Sequence, residues 1–95
     1  MSVTVDIVGY ARSLFSRPHY TFDAKPGLTL KGVMEQLSEF AGPNFGKRIY
    51  DVATGSLNEH IAVFVNAREA RSLKGLDTAL NDGDVVTILP PMAGG

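Results

Sequence analysis

Apolar and polar residues alternate from the first positions of the chain. Val3, Val5 and Ile7 share one parity and Thr4 and Asp6 the other, the period of a half-buried strand. The pattern breaks between Gly9 and Pro18, whose glycine and proline punctuate a loop. Alternation resumes over His19 to Ala24 with Tyr20 and Phe22 on one face, predicting a second strand that pairs antiparallel with the first. Pro26-Gly27 marks a turn, and Thr29 stands where a helix N-cap belongs, its hydroxyl placed to accept from a backbone N–H left unpaired at the helix start. Leu30, Val33, Met34, Leu37 and Phe40 then recur at three- and four-residue spacing, the buried stripe of an amphipathic helix. Gly42-Pro43 is expected to end it.

The second half is less regular. Residues 44–59 carry only scattered apolar positions, among them Phe45, Ile49, Tyr50 and Val52, and read as irregular structure or one short element. Ile61-Ala62-Val63-Phe64-Val65-Asn66 reads as a strand with Ile61, Val63 and Val65 on one face. Residues 66–69 turn the chain, and Ala70 to Leu73 are expected to pair back as a short strand. Leu73, Leu76 and Leu80 have the spacing of a helical turn over one end of the core. Asn81-Asp82-Gly83-Asp84 is a tight turn in which Gly83 supplies positive φ. Val85 to Leu89 forms the last strand. The elements describe an α+β fold, a sheet with a single main helix across one face; periodicity leaves the strand order open.

With 95 residues the chain makes one domain, expected over residues 1–89 with a flexible tail over 90–95. A chain of this size buries roughly 60–65% of its unfolded surface, enough for a modest core but not for a deep enclosed active site. A net charge of −1 argues against a broad electrostatic grip on nucleic acid. No apolar run approaches the roughly 18 residues of a membrane span, and the alternating N-terminus lacks a signal-peptide layout. Cysteine is absent, which removes disulfides, thiolate metal sites and cysteine nucleophiles together. A cytoplasmic protein with no metal site is the expectation.

Other candidate chemistry is thin. His19 and His60 lie far apart with no carboxylate at metal-ligand spacing, and Asp82 and Asp84 flank Gly83 as turn residues bonding their own backbone. The serines lack a nucleophile-elbow context, and Gly9, Gly27, Gly32 and Gly55 assemble no phosphate-binding loop. Arg68, Arg71 and the other basic residues are interspersed with acids, as on a solvated face.

The final residues carry most of the functional signal. With glycine at about 7% of residues, a terminal Gly-Gly pair arises by chance in roughly one chain in 200. Here Gly94-Gly95 follows Asp82-Gly83-Asp84-Val85-Val86 and Pro90-Pro91-Met92-Ala93. Together with Val65-Asn66 and Leu76-Asp77-Thr78, these residues resemble the MoaD/ThiS family of ubiquitin-like sulfur carriers, specifically over the last 35 residues or so and loosely before that. The resemblance implies a β-grasp fold, here a mixed sheet of four to five strands. Pro90-Pro91 is most similar to the molybdopterin synthase small subunit. Thr87 to Pro90 and Arg71 to Leu76 look equally like carriers that supply cysteine synthesis.

What the resemblance implies is a carrier, not an enzyme. An E1-like activating enzyme uses ATP to adenylate the Gly95 carboxylate, and a sulfur donor displaces AMP to leave a thiocarboxylate. The carrier itself binds no cofactor. The acceptor implied is the molybdopterin synthase large subunit, with thiamine or cysteine synthesis as alternatives, or lysines of other proteins if the chain is a modifier. Gly94 and Gly95, lacking Cβ atoms, suit a narrow channel, and Pro90 and Pro91 stiffen the root of the tail. Six extended residues, Pro90, Pro91, Met92, Ala93, Gly94 and Gly95, reach about 20 Å. For docking, the alternation that turns Ile61, Val63, Val65, Val86 and Ile88 inward turns Phe64, Thr87 and Leu89 outward. Phe64 and Leu89 are the expected apolar contact beside the tail.

Overall fold

The computed structural model describes residues 1–9, 18–41 and 45–89. Strands β1 (Ser2–Ile7) and β2 (His19–Asp23) pair antiparallel, with Val3 opposite Phe22 and Val5 opposite Tyr20. All four side chains face the core, as the shared parity dictates. Helix α1 (Leu30–Ser38) follows, and its Leu30, Val33, Met34 and Leu37 are fully buried. Thr29 caps it: its Oγ1 accepts from Gly32 N at 3.3 Å. Later come α2 (Phe45–Arg48), the hairpin β3 (Tyr50–Asp51) and β4 (Ser56–Leu57), then β5 (Ala62–Val65), β6 (Arg68–Glu69) and β7 (Val85–Leu89).

The main sheet runs β2-β1-β7-β5-β6. β7 lies at its centre, parallel to β1 and antiparallel to β5. Central placement explains its composition: Val86 and Ile88 are buried on the helix side, and their neighbours Val85, Thr87 and Leu89 are half-covered on the other. The sequence predicts this hydrophobic sidedness on β5 and β7, and the structure has it. The segment before β7 is pinned to the helix start, with Leu30 N donating to Thr78 O and Leu80 N to Leu28 O, both at 3.0 Å.

Three expectations need correction. The helix ends at Ser38, ahead of Gly42-Pro43. Ser38 Oγ donates to Glu35 O at 2.6 Å, and Glu39 N and Phe40 N turn to carbonyls three residues back, tightening the chain out of the α pitch. Phe40 therefore falls off the buried stripe and is 54% exposed, its ring 5.5 Å from Tyr20. The 44–59 region is more ordered than its composition suggests. Phe45 and Ile49, one helical turn apart, are both buried, Tyr50 is fully buried, and Gly55 (φ +68°) closes the hairpin. Lastly, the strand expected over Ala70 to Leu73 lies two residues earlier, as β6, and Ala70–Ser72 is a 3-10 turn. A two-residue turn at Asn66-Ala67 brings Arg68 directly opposite Val65. That geometry requires positive φ, which Asn66 adopts at 58°.

Candidate functional site

Because strand side chains alternate, the sheet face away from α1 is written by one parity. Across it, one row runs His19, Asp6, Thr87, Phe64, Glu69 through successive strand pairings. A second apolar position follows where Ala62 sits opposite Leu89. Val8, 39% exposed, continues β1 beside it, its N–H donating to Ile88 O at 3.1 Å. Val8, Ala62, Phe64 and Leu89 thus form an apolar patch at the end of the face from which the chain leaves β7. Phe64 and Leu89 are both half-buried, on the predicted side of the sheet and close together.

The ends of the row are charged but internally matched. His19 Nδ1 lies 2.6 Å from Asp6 Oδ1, and Arg71 Nη1 lies 3.1 Å from Glu69 Oε2. The sequence reading missed both pairs. The His19–Asp6 contact follows from the hairpin, since both residues occupy outward positions of antiparallel strands. Arg71 is not simply solvated like its basic neighbours: its guanidinium also donates to Ile61 O at 2.9 Å and Asn58 O at 3.0 Å, holding the approach to β5. Three donors in a fixed fork suit that role.

Behind the face, the root of β7 is tied down by polar contacts. Asp84 accepts from Asn81 N at 2.8 Å and from Asn66 Nδ2 at 3.1 Å, and Asn66 Oδ1 accepts from Val85 N at 3.0 Å. Asp82 bonds across to Ser2 N at 2.7 Å, not to its own turn as its position suggests. Gly83 takes φ +88° as expected, and its N–H donates to Ser2 O at 2.8 Å. Asn66 and Asp84, two of the residues that carry the sequence resemblance, thereby fix the start of the strand whose far end is Leu89. Pro90, Pro91, Met92, Ala93, Gly94 and Gly95 lie outside the described residues, as does most of the loop expected between Gly9 and Pro18. Among the described residues no three His, Asp or Glu side chains gather as a metal-binding group, and no helix is long and apolar enough to cross a membrane.

The described residues therefore supply a fixed strand end beside an apolar face, which is an arrangement for contact. The chain is 36% identical over an alignment of 100 positions, covering all of both proteins, to the sulfur carrier protein CysO of Mycobacterium tuberculosis. It is 38% identical over 73 residues, 77% of this chain and 72% of the other, to small archaeal modifier protein 3 of Haloferax volcanii. The solution structure of Urm1 from Trypanosoma brucei superposes with a TM-score of 0.81 at 28% identity, covering 99% of this chain and 95% of that one. The fold is a β-grasp, α+β, with the mixed sheet and single main helix anticipated from the sequence. The model of the ThiS family matches residues 5–95, and the chain belongs to that family of ubiquitin-like sulfur carriers.

Proposed function

We propose that this chain carries sulfur on the carboxyl group of Gly95. An E1-like activating enzyme supplies ATP; a carboxylate oxygen attacks the α-phosphorus and pyrophosphate leaves. Hydrosulfide from a sulfur donor then attacks the acyl carbon and AMP departs, leaving a thiocarboxylate whose sulfur is the nucleophile in the acceptor enzyme; if the donor is a persulfide, the acyl disulfide first formed is cleaved by a thiol, which is oxidised to a disulfide. The observation that carries this reading is the family match, which spans residues 5–95. The strand layout supports it: β7 sits mid-sheet and hands its end on beside Leu89, Phe64, Ala62 and Val8. That patch is the docking face, and Pro90, Pro91, Met92, Ala93 and Gly94 are the segment that threads into the partner. Catalysis belongs to the partners, so the chain is a carrier and not an enzyme.

Among acceptors, a cysteine-synthesis enzyme is the first choice. The likeness of the Arg71 to Leu76 and Thr87 to Pro90 stretches to carriers of that kind favours it, and the end-to-end match to the sulfur carrier protein CysO is in keeping with it. Molybdopterin synthase, implied by Pro90-Pro91, rests on those two residues and is the competing destination. A second reading is covalent attachment of Gly95 to other proteins, favoured by the likeness to a small archaeal modifier protein.

The test is intact mass after incubation with ATP, magnesium, a sulfur source and the host's activating enzyme. One sulfur should replace one oxygen on the C-terminal peptide, and deletion of Gly95 should abolish the gain. Leu89→Asp and Phe64→Ser should slow loading about tenfold, equivalent to about 1.4 kcal/mol of lost contact, while leaving the fold intact. Absence of the mass gain with an activating enzyme competent on another carrier would overturn the carrier reading. Adducts to other proteins that vanish with Gly95 would establish the modifier reading instead.

A further inference from the structure

β2 is the outermost strand on its side of the sheet. Ile7 N donates to Pro18 O at 2.9 Å and Ala24 N donates to Met1 O at 3.2 Å. Antiparallel alternation then commits Pro18, Tyr20, Phe22 and Ala24 to β1 and turns the N–H and C=O groups of His19, Thr21 and Asp23 outward. No described residue pairs with those backbone groups. Such a row is a template for another strand. Beside it, on the helix side, lies an open groove of about 550 Å³ lined by Thr21, Phe22, Asp23, Leu28 and Gln36, among others. Phe40, 54% exposed and 6.3 Å from the ring of Phe22, adds apolar surface on the same flank.

We propose that the β2 edge pairs with β2 of a second copy of this chain, antiparallel about a two-fold axis at Thr21. Charge complementarity selects this occupant and this register. The outward-facing residues read His19, Thr21, Asp23, so a two-fold at Thr21 sets threonine against threonine and places His19 opposite Asp23 of the second copy at both ends. Threonine pairs and opposite charges are favourable directly across a sheet. A parallel pairing in phase sets Asp23 against Asp23, and an antiparallel slip of two residues toward the turn sets His19 against Lys25. His19 is placed for the role: its Nδ1 is held by Asp6 at 2.6 Å, so in the imidazolium form its Nε2–H is the donor left for the carboxylate across the axis. The contact is isologous, so it closes at two copies. Both α1 helices lie on one face of the joined sheet, with their grooves and Phe40 rings toward each other. The patch of Val8, Ala62, Phe64 and Leu89 lies on the other face of both copies and stays open. The inference is thus independent of what the C-terminus carries.

The test is sedimentation equilibrium of the whole chain from about 10 µM to about 1 mM, a range suited to an interface under about 1,200 Å². The mean mass should climb from 10.2 kDa toward twice that value. In parallel, hydrogen exchange at the His19, Thr21 and Asp23 amides should slow as concentration rises, a change that a monomer's own structure cannot produce. Thr21→Pro removes an N–H that faces solvent in the monomer, where an edge strand tolerates proline. It should weaken association at least about tenfold with little change in melting temperature. Asp23→Arg should weaken association as well. A chain that stays monomeric at the upper concentration overturns the proposal. So does a dimer that survives Thr21→Pro, or one in which the Thr21 amide of the unmodified chain still exchanges freely.

Discussion

Replacing Asn66 by alanine removes two separable supports from the turn that joins β5 to β6. The first is conformational: Asn66 sits at φ 58°, where a residue with a Cβ and no local hydrogen-bonding group pays about 1–2 kcal/mol. The second is the pair of side-chain bonds, to Asp84 Oδ1 at 3.1 Å and from Val85 N at 3.0 Å. Both are exposed, so the lower end of the usual range applies, about 0.5 kcal/mol each. Asn66→Ala should therefore cost about 2–3 kcal/mol. Asn66→Gly loses the same two bonds but relieves the positive φ, at an entropic cost of about 0.5–1 kcal/mol, and should cost about 1.5–2 kcal/mol in all. For a domain of this size each kcal/mol moves the melting temperature by about 4–8 °C. The alanine variant should thus melt roughly 10–20 °C low, and the glycine variant several degrees above it. Urea unfolding followed by circular dichroism checks both values. Equal costs for the two variants would show that the positive φ is not what Asn66 supplies, and an alanine cost below about 1 kcal/mol would refute the reasoning altogether.

Two further outcomes follow from polar side chains. The Tyr50 hydroxyl is buried without a hydrogen-bond partner among the described residues, so Tyr50→Phe should raise unfolding stability by about 1 kcal/mol; a loss in urea titration would count against that assignment. Arg71→Ala should speed hydrogen exchange at the Ile61 amide, which donates to Asn58 O at 3.2 Å, by about tenfold, and Arg71→Lys should fail to restore protection because one ammonium cannot span the same acceptors as the fork. Full protection in the lysine variant would show that charge alone suffices.

What the sequence made legible was whatever periodicity encodes. Val3, Val5 and Ile7, the Tyr20 and Phe22 pair, and the opposed faces of β5 and β7 all follow from alternation, and Thr29 announced the helix start. What stayed hidden depended on neighbours remote in sequence. Nothing local in Val85 to Leu89 says that it lies between β1 and β5, and it is this central position that leaves its outward side chains half-covered by their neighbours on either side. The stretch from Phe45 to Leu57 failed for another reason: its elements are too short to show a period, so Phe45 and Ile49 looked scattered although one helical turn separates them. Arg71 could not be told from its exposed basic neighbours, because its acceptors are backbone carbonyls and leave no trace in residue types. For the candidate site, the outward placement of Phe64 and Leu89 was readable, whereas the flanking His19–Asp6 and Arg71–Glu69 pairs were not.

The parallel pairing of β1 with β7 also has a mechanical meaning. A pull on the chain beyond Leu89, against an anchor at the start of β1, runs along both strands in opposite senses. The bonds from Thr4 N to Asp84 O and from Val8 N to Ile88 O, with those between them, then bear the load together in shear and cannot be opened one at a time. A domain strung this way can be tugged from beyond Leu89 while the patch beside that residue keeps its shape.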